Sequence, residues 1–351
     1  MRMRVLGIET SADDTGIALI EAEGKFGPDF SYKVLGNAIS SQAVHAQYGG
    51  IFPAMAKREH VKNLPTVLER VLNDAHESAS HPNIDAIAIT HGPGLEPCLW
   101  TGITFAQELS KKWNVPVVPV NHMEGHILIS MMEKGKLAQF DFPALALLVS
   151  GGHTELILMK SFGQYEYIGR TRDDAVGEAF DKVARLLGLP YPGGPEISRL
   201  AAYARSEKLP ALLKLPRPMM TSDDYDFSFS GLKTAVERYV QAHELQSLDR
   251  EKLACEFEDA VTDVLVYKTL RAVEEYGANA VVMGGGVSAN KYIRLHLVET
   301  LEKVGAKLLV CPPELSTDNG LMIALAGYFH AAAGEYTDHQ NLTANGNLRL
   351  A

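Results

Sequence analysis

The sequence lacks the features that mark secreted, membrane-spanning and disulfide-stabilised proteins. No positively charged stretch with an apolar segment behind it precedes the first strand pattern at residues 4–8, so we expect no secretory signal and a cytoplasmic protein. No apolar run reaches the ~18 residues that a membrane-spanning helix requires. The three cysteines, Cys98, Cys255 and Cys311, are scattered and form no C-x-x-C pair, which argues against a disulfide framework or a zinc knuckle and fits a reducing cytosol.

Basic residues are also in short supply. The chain has 33 Lys and Arg residues against 43 Asp and Glu residues, and its net charge of −10 argues against non-specific nucleic-acid binding by the chain as a whole. A local basic patch or a basic partner remains open. With 351 residues, of which 46% are hydrophobic, the chain is long enough for two globular domains.

An internal repeat runs through the whole sequence. Each half begins with a strand, a polar turn and a strand. A strand, a glycine-rich turn, a helix and another strand follow, and a helix closes the half. The matching segments are residues 5–20 and 145–158 for the hairpin, 84–120 and 278–311 for the strand–helix–strand unit, and 124–133 and 319–333 for the closing helix.

Apolar strands that alternate with helices predict a largely parallel sheet covered on both faces. We therefore predict an α/β fold of two tandem ribonuclease-H-like lobes of the actin/hexokinase/Hsp70 (ASKHA) type, with a ligand cleft between the lobes. The first lobe would span residues 1–138, with a helical insertion at about 37–78. The second would span residues 139–337, with a helical insertion at about 174–272, and a loose polar tail would follow at 338–351.

Two histidines at the start of the first closing helix form a candidate metal site. His122 and His126 are four residues apart and therefore face the same side of a helix. Asp318 occupies the corresponding place in the second half, so the three side chains converge on one ion if the two segments are equivalent. Two imidazoles and a carboxylate suit iron(II), zinc or manganese. Alternatively, the histidines cap a helix, line a surface or lie in the core.

The same segment does not fit a metalloprotease. Its pattern is not H-E-x-x-H, because Glu124 lies two residues from each histidine and so points away from their shared face.

Three glycine-rich or acidic turns are candidate ligand sites. Gly284–Gly286 follow an apolar strand and could approach a nucleotide, with Asn290 bonding a ribose or base; a tight strand–helix turn is the alternative. The turn of the second hairpin could cradle a phosphate or carboxylate and consists of Leu148, Val149, Ser150, Gly151 and Gly152. In the first hairpin, Asp13 and Asp14 could position a nucleophile or a second cation, and ordinary turn chemistry explains them equally well.

Two further groups favour a plain interpretation when taken alone. Asp181 has the pattern of a solvated carboxylate on a helix. The charged cluster at residues 57–60 opens the first inserted helix and has the pattern of a solvated face, although it could also meet an RNA or protein partner.

Taken together, the motifs indicate a family. They are residues 7–11, 91–95, 121–126, 149–154, 177–182, 191–195, 284–287 and 316–320. In this order, over nearly the whole chain, they resemble the TsaD family of bacterial tRNA N6-adenosine threonylcarbamoyltransferases, whose archaeal and eukaryotic counterpart works inside the KEOPS complex. An older description of such proteins as O-sialoglycoprotein endopeptidases disagrees with the missing H-E-x-x-H pattern. Family members usually carry Cys-Asp-Glu where this chain has Ala12-Asp13-Asp14.

The resemblance implies a role for each candidate residue. His122, His126 and Asp318 would hold one divalent metal, iron(II) foremost, with zinc or another ion possible. The adenylate substrate, or an adenine nucleotide, would be bound by Leu148–Gly152, Asp181, Gly194 and Asn290. Asp13 or Asp14 would assist removal of a proton from the attacking amine.

The resemblance also implies a reaction and partners. The threonylcarbamoyl group would pass from threonylcarbamoyl-AMP to N6 of the adenosine 3′-adjacent to the anticodon, in tRNAs that read codons beginning with A, and AMP would leave. A TsaB-like paralogue and a TsaE-like ATPase would act with the enzyme, and a TsaC-type synthase would supply the adenylate. We expect the helices of the first insertion to dock the TsaB-like partner. The alternatives are an ATP-binding scaffold or regulator, or a small-molecule kinase, of the same fold.

Overall fold

The computed structural model describes residues 2–350, which form two β-sheets flanked by helices. Contacts divide this part of the chain into two units. Unit 1 contains the residues up to Gln139 together with Thr317–Leu350, and unit 2 contains Phe140–Ser316. Within residues 2–350, no helix combines the length and the apolar character needed to cross a membrane.

The sheet of unit 1 has the strand order β5-β4-β1-β2-β3-β7-β6. Its strands are β1 (Arg2–Glu9), β2 (Asp14–Glu23), β3 (Ser31–Ser41), β4 (Ala86–Gly92), β5 (Val117–Asn121), β6 (Met132–Glu133) and β7 (Lys136–Leu137). β1, β2 and β3 form an antiparallel meander, whereas β4 pairs in parallel with β1 and with β5. Val5 of β1 pairs with Ile20 on one side and Ala86 on the other.

The sheet of unit 2 has the order β10-β9-β8-β11-β12. Its strands are β8 (Ala144–Val149), β9 (Thr154–Ser161), β10 (Gln164–Arg170), β11 (Ala280–Gly284) and β12 (Lys307–Val310). Three antiparallel strands are again followed by two parallel ones. This order matches β5-β4-β1-β2-β3, so the repeat predicted from the sequence is confirmed.

The helices cover the faces of the two sheets. They are α1 (Pro53–Asp74), α2 (Glu96–Trp113), α3 (His122–Ser130), α4 (Val176–Leu186), α5 (Gly193–Ser206), α6 (Ser230–Ala242), α7 (Asp249–Tyr276), α8 (Lys291–Glu302) and α9 (Gly320–Ala332). Short 3-10 segments lie at Ala43–Tyr48, Gly286–Ala289, Pro313–Leu315 and His339–Asn341.

Helix α9 belongs to unit 1, whereas the sequence analysis placed residues 139–337 in the second lobe. The helix is apolar on nearly every side and therefore needs cover all round. It packs on β1, β2 and β4 and against α3. The approach to β1 is close, because a Cβ atom added to Gly7 would lie 2.3 Å from the backbone nitrogen of Ala324.

The C-terminal segment is not loose, so that prediction is wrong. Leu342 is only 4% exposed and packs into the core of unit 1. The amide of Asn345 donates to the carbonyl of His91 at 2.8 Å, and Gln107 Nε2 donates to the carbonyl of His339 at 2.7 Å. Apolar burial and backbone hydrogen bonds hold a segment that reads as polar in the sequence.

The first insertion is only partly helical. Residues 37–41, predicted as its beginning, belong to strand β3, and the long helix α1 begins at Pro53. Apolar residues recur in its sequence at a helical period, and they are buried except Val61, which is 59% exposed; they are residues 61, 64, 67, 68, 71 and 72. In the second insertion, helices α4 to α7 follow the predicted helical character and extend to Tyr276.

Candidate metal centre and substrate-binding turns

Two equivalent strand–helix junctions position the candidate metal ligands. At the first, Asn121 ends β5 and caps α3, where its Oδ1 accepts a hydrogen bond from the amide of Met123 at 2.9 Å. At the second, Asn319 caps α9 and accepts from the amide of Met322 at 3.0 Å. Because asparagine is a strong N-cap, each helix begins at a fixed residue. The ligand residues therefore lie beside a cap in both cases.

The structure brings His122, His126 and Asp318 together within unit 1. Oδ1 of Asp318 lies 3.2 Å from Nε2 of His126 and 3.4 Å from Nε2 of His122. One potential ligand atom from each residue lies within 4.8 Å of the other two. Both histidines are buried, and Nδ1 of His126 has no hydrogen-bond partner among the described residues. Two imidazoles and one carboxylate in this arrangement fit a transition metal with open coordination positions.

A buried carboxylate lies behind His122. Oε2 of Glu9 is 3.0 Å from Nδ1 of His122, and Oγ of Ser11 is 3.2 Å from the same nitrogen. Burial lowers the pKa of His122, but the carboxylates of Glu9 and Asp318 outweigh it and raise that pKa to about 9. Burial also acts on Asp318, but His122 and His126 prevail and hold its pKa well below the usual range. A metal cation would take over the charge balance that the imidazole proton supplies.

The acidic turn beside this cluster contains Asp13 and Asp14. Asp14 begins β2 and pairs with Ser41 of β3. Burial, followed by the nearby charge of Asp318, raises the pKa of Asp14 to about 7. Asp13 is half-buried in the same turn. The carboxyl of Asp14 is thus able to exchange a proton near neutral pH.

His60 contacts the same turn and was not predicted as a site residue. It was grouped with the solvated cluster 57–60, and Lys57 and Arg58 are indeed exposed, but His60 is fully buried. Its Nδ1 lies 2.8 Å from Oγ1 of Thr15, and its Nε2 lies 3.0 Å from the carbonyl oxygen of Ala12. A signal existed in the sequence, because His60 precedes Leu64 by one helical turn on the apolar stripe of α1.

In unit 2, hydrogen bonds between its own residues hold the predicted phosphate-binding turn. Oγ of Ser150 accepts from the amides of Gly152 at 3.3 Å and His153 at 3.0 Å. Leu148 and Val149 are buried at the end of β8. Gly151 and Gly152 are exposed, and apart from each glycine and its two chain neighbours, no heavy atom of residues 2–350 lies within 4 Å of a Cβ added to either. The turn therefore borders open space.

Asp181 and Asn290 both cap or support helix ends in unit 2. Oδ1 of Asp181 accepts from the amide of Gly193 at 2.7 Å, at the start of α5, beside Gly194. The structure thus replaces the solvated carboxylate of the plain interpretation with a partly buried one whose pKa is raised by burial. Asn290 caps α8 through the amide of Ile293 at 3.0 Å.

The amide of Asn290 is also engaged. Its Nδ2 donates to Oγ of Ser198 at 2.8 Å and to Oε1 of Glu258 at 2.7 Å. Ser198 lies on α5, five residues after the amide that Asp181 binds, so both candidate residues are tied to the same helix. Their roles toward a substrate stay predictions.

Comparison with known proteins identifies the family. The sequence profile of TsaD, described as tRNA N6-adenosine threonylcarbamoyltransferase, matches residues 33–325. This chain belongs to the TsaD family. A curated relative from Aromatoleum aromaticum (strain DSM 19018 / LMG 30748 / EbN1), named tRNA N6-adenosine threonylcarbamoyltransferase, is 45% identical over 334 residues, covering 95% of this chain and 93% of the relative. The resemblance stated from the motifs is confirmed.

Two solved structures of HypF share the fold of this TsaD protein. Full-length HypF in its phosphate- and nucleotide-bound form gives a TM-score of 0.56 at 13% identity, and HypF from T. kodakarensis gives 0.54 at 15% identity. They match 92% and 97% of this chain, which spans about half of the length of each HypF chain, 54% and 50%. At such low identity the likeness concerns the fold alone, and it confirms the predicted duplicated α/β architecture of the ASKHA type.

Proposed function

We propose that this TsaD protein transfers the threonylcarbamoyl group from threonylcarbamoyl-AMP to N6 of the adenosine 3′-adjacent to the anticodon, in tRNAs that read codons beginning with A. One observation carries this proposal: the 45% identity, over 95% of the chain, to a protein named for the reaction. The grouping of His122, His126 and Asp318 adds chemical support, because a site able to hold a metal lies within unit 1.

The reaction is an acyl transfer. The N6 amine attacks the carbamoyl carbon of the mixed anhydride, a C–N bond forms, the C–O bond to the phosphate breaks, and AMP leaves with the electron pair. A divalent metal, iron(II) in our proposal and zinc as the alternative, would orient the substrate and stabilise the negative charge that develops on its oxygens. His122, His126 and Asp318 would hold it; the two histidines are buried and Asp318 is partly buried.

The proton released by the amine requires an acceptor. Asp14 is suited to this role, because a carboxyl with a pKa of about 7 is partly ionised at neutral pH and still basic enough to take a proton. Asp13, its neighbour in the turn, adds negative charge that favours the protonated form of the Asp14 carboxyl. In the many family members with Glu at this position the carboxylate would reach one methylene further.

We assign binding of the adenylate to residues of unit 2. The turn Leu148–Gly152 would face the phosphate, and the open space beside Gly151 and Gly152 supports this. Apart from its chain neighbours and the nearby backbone of α5, no described heavy atom lies within 4 Å of a Cβ added to Gly194. Asp181 and Asn290 would act from the ends of α5 and α8, where their hydrogen bonds already fix them.

The acidic net charge favours a multi-protein enzyme, because tRNA binding draws on basic surface. We propose a TsaB-like paralogue and a TsaE-like ATPase as partners, with a TsaC-type synthase as the source of adenylate. The region of α1 offers a docking surface: Tyr48, Phe52 and Val61 are more than half exposed, and Lys57 and Arg58 are exposed beside them. Apolar side chains flanked by basic ones suit a partner with an acidic rim.

The docking surface can be tested by charge reversal. Lys57→Glu with Arg58→Glu should weaken binding of the TsaB-like protein, measured by titration calorimetry. The matched control is Lys111→Glu with Lys112→Glu, which reverses the same charge on exposed positions of α2. Equal affinities for wild type, test and control proteins would refute this surface.

The central experiment measures transfer of labelled threonylcarbamoyl from its adenylate to unmodified tRNA, with partners present. Wild-type protein should form product, His126→Ala should not, and His81→Ala should match the wild type, because His81 lies exposed in a loop. Absence of product from folded wild type that binds nucleotide would favour the scaffold. Turnover of ATP with a small acceptor would favour the kinase.

A further inference from the structure

Glu9 is a charged side chain with no access to solvent. It is the last residue of β1 and is fully buried, as are Thr90 and the neighbouring Ser11. A buried carboxylate is costly unless hydrogen bonds satisfy it. Three donors do so: the amide of Ser11 binds Oε1, while Oγ1 of Thr90 at 2.5 Å and Nδ1 of His122 at 3.0 Å bind Oε2.

We propose that Glu9 is a positioning residue of the metal centre, which fixes His122 in the tautomer and ring orientation that present Nε2 to the metal. This inference rests on the proposed metal site. An ionised carboxylate only accepts hydrogen bonds, so the nitrogen of His122 that contacts it must carry the proton. Nε2, which lies 3.4 Å from Asp318, then keeps its lone pair for the ion. A carboxylate that accepts from the other ring nitrogen raises the basicity of a ligating histidine as well as orienting it.

The contacts around Ser11 agree with this assignment. Its hydroxyl lies 3.2 Å from Nδ1 of His122 and donates to Oδ2 of Asp318 at 3.4 Å. Because the hydroxyl of Ser11 donates its proton to Asp318, its oxygen can only accept from Nδ1 of His122. Nδ1 therefore carries a proton, as the contact with Glu9 also requires. Ser11 thus links the two ligands, while Glu9 holds His122 from behind.

The two histidines are not equivalent in this respect. Nδ1 of His126 has no hydrogen-bond partner among the described residues, and no carboxylate lies behind it as Glu9 lies behind His122. Loss of Glu9 therefore acts on one ligand only. The centre should still hold metal through His126 and Asp318, with lower affinity.

Glutamine at position 9 matches glutamate in shape, but it carries an NH2 donor in place of one acceptor oxygen. If its amide nitrogen faces Ser11, two N–H groups oppose each other. If the nitrogen faces Thr90 and His122, the imidazole avoids the clash only by moving its proton to Nε2, which blocks the metal ligand. The first arrangement keeps an acceptor for Nδ1 but loses the negative charge that raises the basicity of His122, and the second blocks Nε2, so either costs metal affinity. Substitution of a residue that hydrogen-bonds a metal ligand typically lowers metal affinity by about 10–100-fold.

The test uses the purified full chain and Zn(II), with affinity measured by competition with a chromophoric chelator. Glu9→Gln should bind Zn(II) about 10–100-fold more weakly than wild type. Thr90→Ser, which keeps the hydroxyl, should match the wild type. Glu124→Gln is the matched control, because this buried carboxylate on α3 pairs with His330, which is not a ligand.

Melting temperatures with and without Zn(II) separate positioning from folding. A purely structural Glu9 would lower both melting temperatures equally, whereas a positioning residue reduces the upward shift that Zn(II) produces. If Glu9→Gln does not fold, ¹⁵N-histidine NMR of the Zn(II)-loaded wild type decides, because the proposal requires a proton on Nδ1 and zinc on Nε2 of His122. The opposite assignment overturns it.

The outcomes also distinguish this inference from the proposed function. Unchanged Zn(II) affinity in Glu9→Gln, with transfer activity in the wild type, overturns the inference and leaves the transferase standing. A wild type that binds no Zn(II) overturns the inference as well, and transfer by such a protein would then argue against a metal-dependent reaction.

Discussion

The close packing of α9 on the sheet of unit 1 predicts that one added methyl group destabilises the fold. Gly327, in the middle of α9, faces Ala88 of β4, and a Cβ atom added to Gly327 would lie 2.1 Å from the Cβ of Ala88. Carbon atoms pack no closer than about 3.5 Å, so the helix and the strand would have to part by roughly 1.4 Å. Asp318 lies two residues before the first residue of this helix, so the same displacement reaches the candidate metal site.

Two opposing terms set the size of the effect. Alanine is favoured over glycine inside a helix by about 1 kcal/mol. Overpacking a filled core costs about 1–3 kcal/mol, and the contact here is with a strand that cannot rotate away. The difference is a loss of about 0–2 kcal/mol, and the short contact with a strand places Gly327→Ala at the upper end, with a free energy of unfolding lowered by about 2 kcal/mol. Metal affinity should fall too, because ligand distances tolerate only about 0.2 Å of error.

A double-mutant cycle with Ala88→Gly tests this reasoning by urea denaturation. Ala88→Gly alone should cost about 1 kcal/mol, because glycine weakens a strand. In that background the clash is gone and only the helix term remains, so Gly327→Ala should become neutral or stabilising. An equal loss from Gly327→Ala in both backgrounds would refute the contact as the cause.

Three further changes test the electrostatics and the packing of unit 1. Burial lowers the pKa of His330, but Glu124 and Glu335 raise it to about 9, above its ordinary 6.5, so these ion pairs stabilise the fold fully below pH 6.5 and lose that contribution as the pH rises through about 9. His330→Gln should therefore cost about 2 kcal/mol at about pH 6, discounted for the exposed Glu335, and little at about pH 10; a loss independent of pH in urea denaturation would contradict this. Since Asp14 must be ionised to accept a proton, kcat/KM for tRNA should rise with pH through about 7 and level off about one pH unit higher, and Asp14→Asn should leave a low, pH-independent rate. Leu342→Ala should lower the free energy of unfolding by about 2 kcal/mol, whereas a loose tail would show almost no change.

The fold was predictable because it is a repeat of local patterns. Strand β8 and residues 5–8 of β1 are short apolar runs. Each is followed by a polar turn and a second strand, so the hairpins could be predicted from short segments. The place of α9 was not predictable in this way. Its apolar character shows that it is buried but not by which sheet, because any apolar surface of the right shape satisfies the hydrophobic effect.

The candidate metal ligands could be predicted from the sequence, whereas the roles of the residues behind them could not. His122 and His126 stand out by their spacing, and Asp318 stands out by its equivalent place in the repeat. Glu9 reads as part of a strand, and His60 has only its place on the apolar stripe of α1 to indicate burial. Tertiary contacts are needed to show what either side chain binds. A buried carboxylate and a buried imidazole are recognisable once burial is known, and burial is a property of the fold.

The convergence of the three ligands follows from the capping of the helices that carry them. Asn121 and Asn319 end their connections at equivalent points and fix the first residue of α3 and α9. Since α3 and α9 pack together in unit 1, the residues beside the two caps come to the same region. His122 follows one cap and Asp318 precedes the other. A duplicated strand–helix junction therefore forms a candidate metal centre when one copy supplies imidazoles and the other a carboxylate, so a symmetric fold can support an asymmetric site.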